Sequence, residues 1–342
     1  MRIATYNVEW FNNLFDDKGG LLADNGWSGR LDVTRLQQTE SLGIVFTALD
    51  ADVVMVIEAP DQNGRRTTVS ALENFAKTFG LRARKALMGF ANDTQQEIAL
   101  MYDPDVLSAW HDPLGDPTGK KGSDRSPRFD GVFRIDLDVD DTEDLIRFSK
   151  PPLEVGLKTK GGFRFRMIGV HLKSKAPHGA HGREAVMRLA IANRRKQLAQ
   201  AIWLRRRIEE HLEVGEPLIV LGDLNDGPGL DEYEHLFGRS SVEIVLGESD
   251  GVKLYDPHAE MALHQRIGAL PSTARFHMPK GKRYLQALLD YIMVSPEIAA
   301  KGGEWRIWHP YDDDRCQCVP ELRDALITAS DHFPVTLDID LD

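Results

Sequence analysis

The chain has 342 residues, 42% of them apolar, and its 42 Lys and Arg against 53 Asp and Glu leave a formal charge of −11. That composition belongs to a globular chain long enough for one large core or two small ones, and no apolar run approaches the ~20 residues of a membrane span. The negative field opposes loose adhesion to a polyanion, so a nucleic-acid substrate would need local basic groups or a bound metal. Cys316 and Cys318 are one residue apart, which strains a mutual disulfide and leaves two free thiols as the expectation. The opening residues enter a strand-like run without the charged, apolar and small-residue succession of a secretory signal, so a cytoplasmic protein is expected.

Residues 2–8 alternate as a strand and then present Asn7, Glu9 and Trp10, before a loop over 12–30 rich in Gly, Asn and Asp. The spacing of Leu36, Ile44, Val45, Ala48 and Leu49 predicts a helix over 31–49. An apolar strand over 52–58 repeats the opening pattern and ends on Glu58. An amphipathic helix over 68–79 and a strand over 96–102 follow, and residues 113–128 read as a loop. Strands are predicted over 132–138, 153–158 and 163–172, the last finishing at His171. The longest helical stretch, 184–213, carries Leu189, Ala192, Leu198, Ile202 and Ile208 near one face. Arg194, Arg195 and Lys196, with Arg205, Arg206 and Arg207, then fall on its solvated side.

Residues 218–226 are an apolar run that breaks at Gly222 and delivers Asp223, Asn225 and Asp226 in quick succession. This reads as a buried strand whose carboxyl end opens onto a polar site. A short helix over 231–237, a strand over 288–294 carrying Asp290 and an alternating strand over 335–341 complete the chain. Strands and helices interleave to both ends with no linker or repeat, which predicts an α/β fold in one domain, 1–342.

Asn7, Glu58, His171, Asp223, Asn225, Asp290, Asp331 and His332 each sit at or beside the end of an apolar run. Singly, each has an ordinary explanation as a turn former or a structural hydrogen-bonding group. Their contexts occur in a definite order: Thr-Tyr-Asn7-Val-Glu-Trp, Ile-Glu58, Val-His171-Leu-Lys-Ser-Lys, Gly-Asp223-Leu-Asn225, Leu-Asp290-Tyr-Ile and Ser-Asp331-His332-Phe-Pro. Together they resemble the endonuclease/exonuclease/phosphatase superfamily, the fold of pancreatic deoxyribonuclease and the apurinic endonucleases, over nearly the whole chain.

The resemblance implies a four-layer α/β sandwich, two mixed β-sheets flanked by helices, with the site where the sheets meet at one edge. Carried onto this sequence, it makes Glu58 the principal ligand of Mg²⁺ or Mn²⁺, supported by Asn7 and Asp331. Asp223 would orient or deprotonate the attacking water, and Asn225 and His171 would hold phosphate oxygens. His332, oriented by Asp290, would contact the phosphate and assist proton transfer. The chemistry agrees independently, since carboxylate and amide oxygens suit a hard cation and a carboxylate beside an imidazole favours its charged form. Asp226 is left as a turn residue.

In one respect the chain departs from the pattern. Many members carry Arg before a Pro-Pro pair, where this sequence has Lys150-Pro151-Pro152. Lys neutralises a phosphate as a point charge but lacks the planar fork of Arg. Lys150 is a candidate phosphate contact with Arg125 and Arg128 as rivals, and Lys173 and Lys175 are further candidates beside His171. His178 and His181, the acidic and cysteine-containing stretch 312–318, and Trp27, Trp110, Trp305 and Trp308 read first as loop and packing residues, with roles at the site as the alternative.

The expected activity is metal-dependent hydrolysis of a phosphodiester by in-line attack of water, with a nucleic acid, DNA or RNA, as substrate. A phosphatase or phosphodiesterase acting on a small-molecule or lipid phosphate ester is the alternative, and a binding protein that has lost the chemistry is a second.

Overall fold

The computed structural model describes residues 1–92, 94–137, 143–177, 179–227, 238–247, 251–264, 270–278 and 283–341. In chain order the first half runs β1 (Arg2–Asn7), α1 (Arg35–Leu49), β2 (Val53–Ala59), α2 (Thr68–Phe79), β3 (Lys85–Met88), β4 (Glu97–Tyr102), β5 (Leu107–His111), β6 (Phe133–Ile135), β7 (Asp144–Ile146), β8 (Leu153–Thr159) and β9 (Arg164–His171). The second half runs α3 (Arg183–Glu213), β10 (Leu218–Asp223), α4 (Ser241–Leu246), α5 (Pro257–His264), β11 (Ala274–Met278), β12 (Arg283–Ala287), β13 (Asp290–Val294), α6 (Pro296–Ala299), β14 (Glu304–Ile307), α7 (Asp314–Gln317), α8 (Pro320–Ala329) and β15 (Val335–Asp338). The predicted helix over 231–237, residue 138 at the end of a predicted strand, and His178 lie outside the described residues.

A six-stranded sheet has the order β14-β15-β1-β2-β4-β3 and a five-stranded sheet the order β13-β10-β9-β8-β5. Each contains one parallel pair, β1 with β2 and β9 with β10, and the remaining ladders are antiparallel. A parallel pair needs a crossover, supplied by α1 in one sheet and α3 in the other. Parallel strands also share their carboxyl ends. The register pairs Asn7 with Ile57 and His171 with Asp223, so four polar strand exits lie along two sheet edges.

The alternation of side chains explains the layers. In β1 and β2, Ile3, Val53, Met55 and Ile57 face the second sheet, while Ala4, Tyr6, Val54 and Val56 pack under α1, α2 and α8. In β9 and β10, Met167, Ile219 and Leu221 face inward, while Ile168, Val170, Leu218 and Val220 pack under α3. The sheets approach closely at Gly169, where an added Cβ would stand 2.4 Å from Met55 Sδ. By the same parity Asn7, His171 and Asp223 point into the space between the sheets.

Several boundaries differ from the sequence expectations for local reasons. α1 starts at Arg35, later than the predicted 31, because Thr34 and Gln37 form a reciprocal capping box there. The segment expected as a loop over 312–318 contains α7, capped by the Asp313 carboxylate on the Arg315 and Cys316 N–H groups. The basic residues of α3 are not all solvated, which corrects the amphipathic reading. Arg194 and Arg207 are buried, and Arg207 pairs with buried Glu154 at 2.6 Å. Trp308 is likewise buried, its indole N–H donating to Thr336, whereas Trp27 is exposed.

Candidate active site

The site forms where the exits of β1, β2, β9 and β10 meet the start of β13 and the segment 330–332. Glu58 breaks the inward–outward alternation of β2, since its even position would turn it toward the helices. The chain accommodates it with a register shift between Ile57 and Ala59 and a left-handed backbone at Glu58 (φ 62°), which a non-glycine residue adopts at a cost. Gly222 (φ 132°) is needed for another reason: a Cβ there would meet Val170 O at 2.2 Å.

Asp223 is held from several sides. Its Oδ1 accepts the Asn225 N–H at 2.7 Å, and its Oδ2 accepts Asn7 Nδ2 at 3.0 Å and Asn225 Nδ2 at 3.3 Å. His171 Nε2 lies 3.6 Å from Asp223 Oδ2, 3.9 Å from Glu58 Oε1 and 3.3 Å from Lys150 Nζ. Burial pushes both acids up to about 7. Burial and the Lys150 charge hold His171 well below the usual imidazole range.

His332 behaves oppositely. Its Nδ1 lies 2.7 Å from Asp290 Oδ2, which also accepts from Thr273 Oγ1 at 2.7 Å. Burial disfavours the imidazolium, but the charge and hydrogen bond of Asp290, with Asp223 and Asp331, outweigh it and raise His332 well above the ordinary value. Asp223, Asp290 and His332 offer atoms within 4.8 Å of one another, a spacing a metal ion could bridge. A charged imidazole whose Nδ1 is taken by Asp290 is a proton donor rather than a ligand, so this trio suits proton handling better than cation binding.

A hard divalent cation fits another set of oxygens. Among the described residues, Asn7 Oδ1 and Asp331 Oδ1 are buried with no hydrogen-bond partner, and the Glu58 carboxylate accepts one bond, from Gln96 Nε2 at 2.5 Å. Unpaired buried oxygens beside a desolvated carboxylate are costly until a cation compensates them. These three residues would hold it. Glu9 adds charge nearby: its carboxylate pairs with Arg30 and interacts with Asp331 and His332.

The candidate phosphate contacts separate clearly. Lys150 reaches His171, while Arg128 pairs with Asp130 at 2.7 Å and Arg125 is exposed. Lys173 Nζ donates to Ser174 O, and Lys175 Nζ lies 2.5 Å from Asp226 Oδ1. His181 is exposed.

Several supporting residues escaped the sequence reading. Ser330 Oγ donates to Asn7 O at 2.8 Å and accepts the Glu9 and His332 N–H groups, joining β1 to the His332 segment. From α3, Gln197 Nε2 donates to Lys173 O and Asn225 O at 2.9 Å, tying the β9 and β10 exits together. Asp226 is no mere turn residue: fully buried, it takes Arg194 Nη1 at 3.0 Å and the Ser241 N–H at 2.6 Å. Asp226→Ala would remove the buried carboxylate that pairs with the buried Arg194 guanidinium. It is expected to destabilise the protein by about 3–5 kcal/mol, read from urea unfolding. A loss under about 1 kcal/mol would mean the pair is replaceable.

Two packed mixed sheets with a buried acid–imidazole cluster at their shared edge define a phosphoester hydrolase. Residues 4–332 match the sequence profile of the Endonuclease/Exonuclease/phosphatase family, and the chain belongs to that family, with its deoxyribonuclease I-like fold. Among solved structures it is similar to TDP2 from C. elegans, at 14% identity and a TM-score of 0.50, covering 99% of this chain and 74% of that one. It is also similar to SmcL, at 15% identity and a TM-score of 0.50, covering 99% of both chains. No curated protein matches it in sequence.

Proposed function

We propose that the protein is a phosphodiesterase dependent on Mg²⁺ or Mn²⁺ and acting on nucleic acid. The observation that supports a diester is the charge balance at the cluster. Lys150 and the imidazolium of His332 supply positive charge while burial keeps His171 neutral. Beside a divalent cation, that set offers positive charge to the non-bridging oxygens and a proton to the departing ester oxygen, which hydrolysis of a diester requires. The segment Val170 to Lys175 resembles nuclease-type members, which favours a polynucleotide.

In this reading Asp223 receives the proton of the attacking water, whose oxygen bonds to phosphorus as the opposite ester P–O bond breaks. Asn225, His171 and Lys150 hold the non-bridging oxygens, and His332 gives a proton to the departing oxygen while Asp290 keeps its charge. A cation held by Glu58, Asn7 and Asp331 would neutralise phosphate charge.

The net charge of −11 favours a second reading, a small phosphate ester as substrate. A panel of single- and double-stranded DNA, RNA, bis(p-nitrophenyl) phosphate and p-nitrophenyl phosphate, with Mg²⁺, Mn²⁺ or chelator, separates the two. The expected result is cation-dependent cleavage of nucleic acid and of the diester, with little release of phosphate from the monoester. Turnover confined to the monoester would sink the proposal.

A further inference from the structure

Three non-glycine residues at strand exits of the site have left-handed backbones: Glu58, Asn225 and Trp10. The first two place groups in the cluster. Trp10 (φ 59°, ψ 23°) does not, yet a bulky residue in this region is a true outlier, and such strain persists where function holds it. The residue is 45% exposed although it belongs to the largest side-chain type.

The geometry around the ring is specific. An added Cβ at Gly29 would stand 2.7 Å from Trp10 Cγ and 2.9 Å from Cδ2, so the backbone of Gly29 lies close against the indole. Gly29 is itself left-handed (φ 109°), leaving no room for another residue there. The preceding residue, Glu9, donates its backbone N–H to Ser330 Oγ, which also accepts the His332 N–H, so Trp10 follows a residue tied directly to the segment that carries His332. The indole lies against Gly29, the residue is nearly half exposed, and its neighbour Glu9 is joined to the His332 segment through Ser330.

We propose that Trp10 is a specificity-determining platform on which a nucleobase flanking the scissile phosphate stacks. The inference rests on the nucleic-acid reading above and extends it. The preferred substrate is a strand whose bases can leave the helical stack, because a paired base offers no free face. An aromatic platform also recruits a polynucleotide without added positive charge, which suits a chain of net charge −11.

The test compares a single-stranded oligonucleotide with the same strand carrying a base-free tetrahydrofuran unit beside the cleaved bond. The wild-type enzyme is expected to favour the base-bearing strand about tenfold in kcat/KM, the gain one stacked base supplies. Trp10→Asn, whose side chain tolerates the left-handed backbone, should erase that preference through KM and leave the base-free strand within about twofold. Trp10→Phe should keep most of it. Equal losses on both strands by Trp10→Asn would make the residue a structural support of Glu9 and overturn the proposal, as would a wild type indifferent to the base. A wild type that hydrolyses bis(p-nitrophenyl) phosphate but neither oligonucleotide would defeat the nucleic-acid reading itself, and this inference with it.

Discussion

Glu58→Gln is expected to weaken Mg²⁺ or Mn²⁺ binding by about 100-fold, about 2.8 kcal/mol, and to reduce turnover at sub-saturating cation accordingly. Among the described residues the Glu58 carboxylate accepts one hydrogen bond, from Gln96, beside the Asn7 and Asp331 oxygens that have no partner there, and it is pushed up to about 7 by burial. A neutral amide keeps the shape but removes the charge that compensates a hard cation. It also removes the cost of burying that charge, so the chelated variant should melt no lower than the chelated wild type. The wild type should gain melting temperature on adding Mn²⁺, and the variant should lose that gain. Should the variant keep the full Mn²⁺-induced rise, the cation is held elsewhere, with the Asp223, Asp290 and His332 trio as the next candidate.

Asp223→Asn should lower kcat by about 10²–10⁴-fold, the range supplied by a positioned general base, while leaving cation-induced stabilisation in place. Three N–H donors converge on this carboxylate, from the Asn225 backbone and from the Asn225 and Asn7 amides. An acid pushed up to about 7 is poised to take a proton near neutrality. Asparagine would set its own amide hydrogens against those donors and offer no proton acceptor of comparable strength. Single-turnover cleavage with saturating Mn²⁺ isolates the chemical step. A variant within threefold of wild type would remove Asp223 from proton transfer.

Much of the fold was legible because period-2 alternation is local. The strands ending on Asn7, Glu58, His171 and Asp223 could be read from a few residues each, and the helices over 68–79 and 184–213 from their apolar spacing. Besides the helices α4 to α8, the elements that escaped notice are short or weakly patterned strands: β3, β5, β7, β14 and the β11–β12 hairpin. Their identity comes from the neighbours they pair with rather than from their own residues. The basic run in α3 misled for a related reason. Helical spacing separates polar from apolar faces, but it cannot tell a solvated polar face from one that meets buried acids such as Asp226 and Glu154.

The sequence by itself determined which chemical groups stand at strand ends and in what order, because a strand end and its side-chain parity depend on adjacent residues. Only the tertiary structure decided which ends meet. The parallel pairing of β1 with β2 and β9 with β10, and the close approach of the sheets at Gly169, bring Asn7, Glu58, His171 and Asp223 to one edge. The structure also decided the supporting contacts of Gln96, Thr273, Ser330 and Gln197, each a bond between distant segments that no local pattern encodes. Charge state belongs to this second group as well. The same carboxylate or imidazole is shifted up or down by burial and by neighbours that only the folded chain supplies.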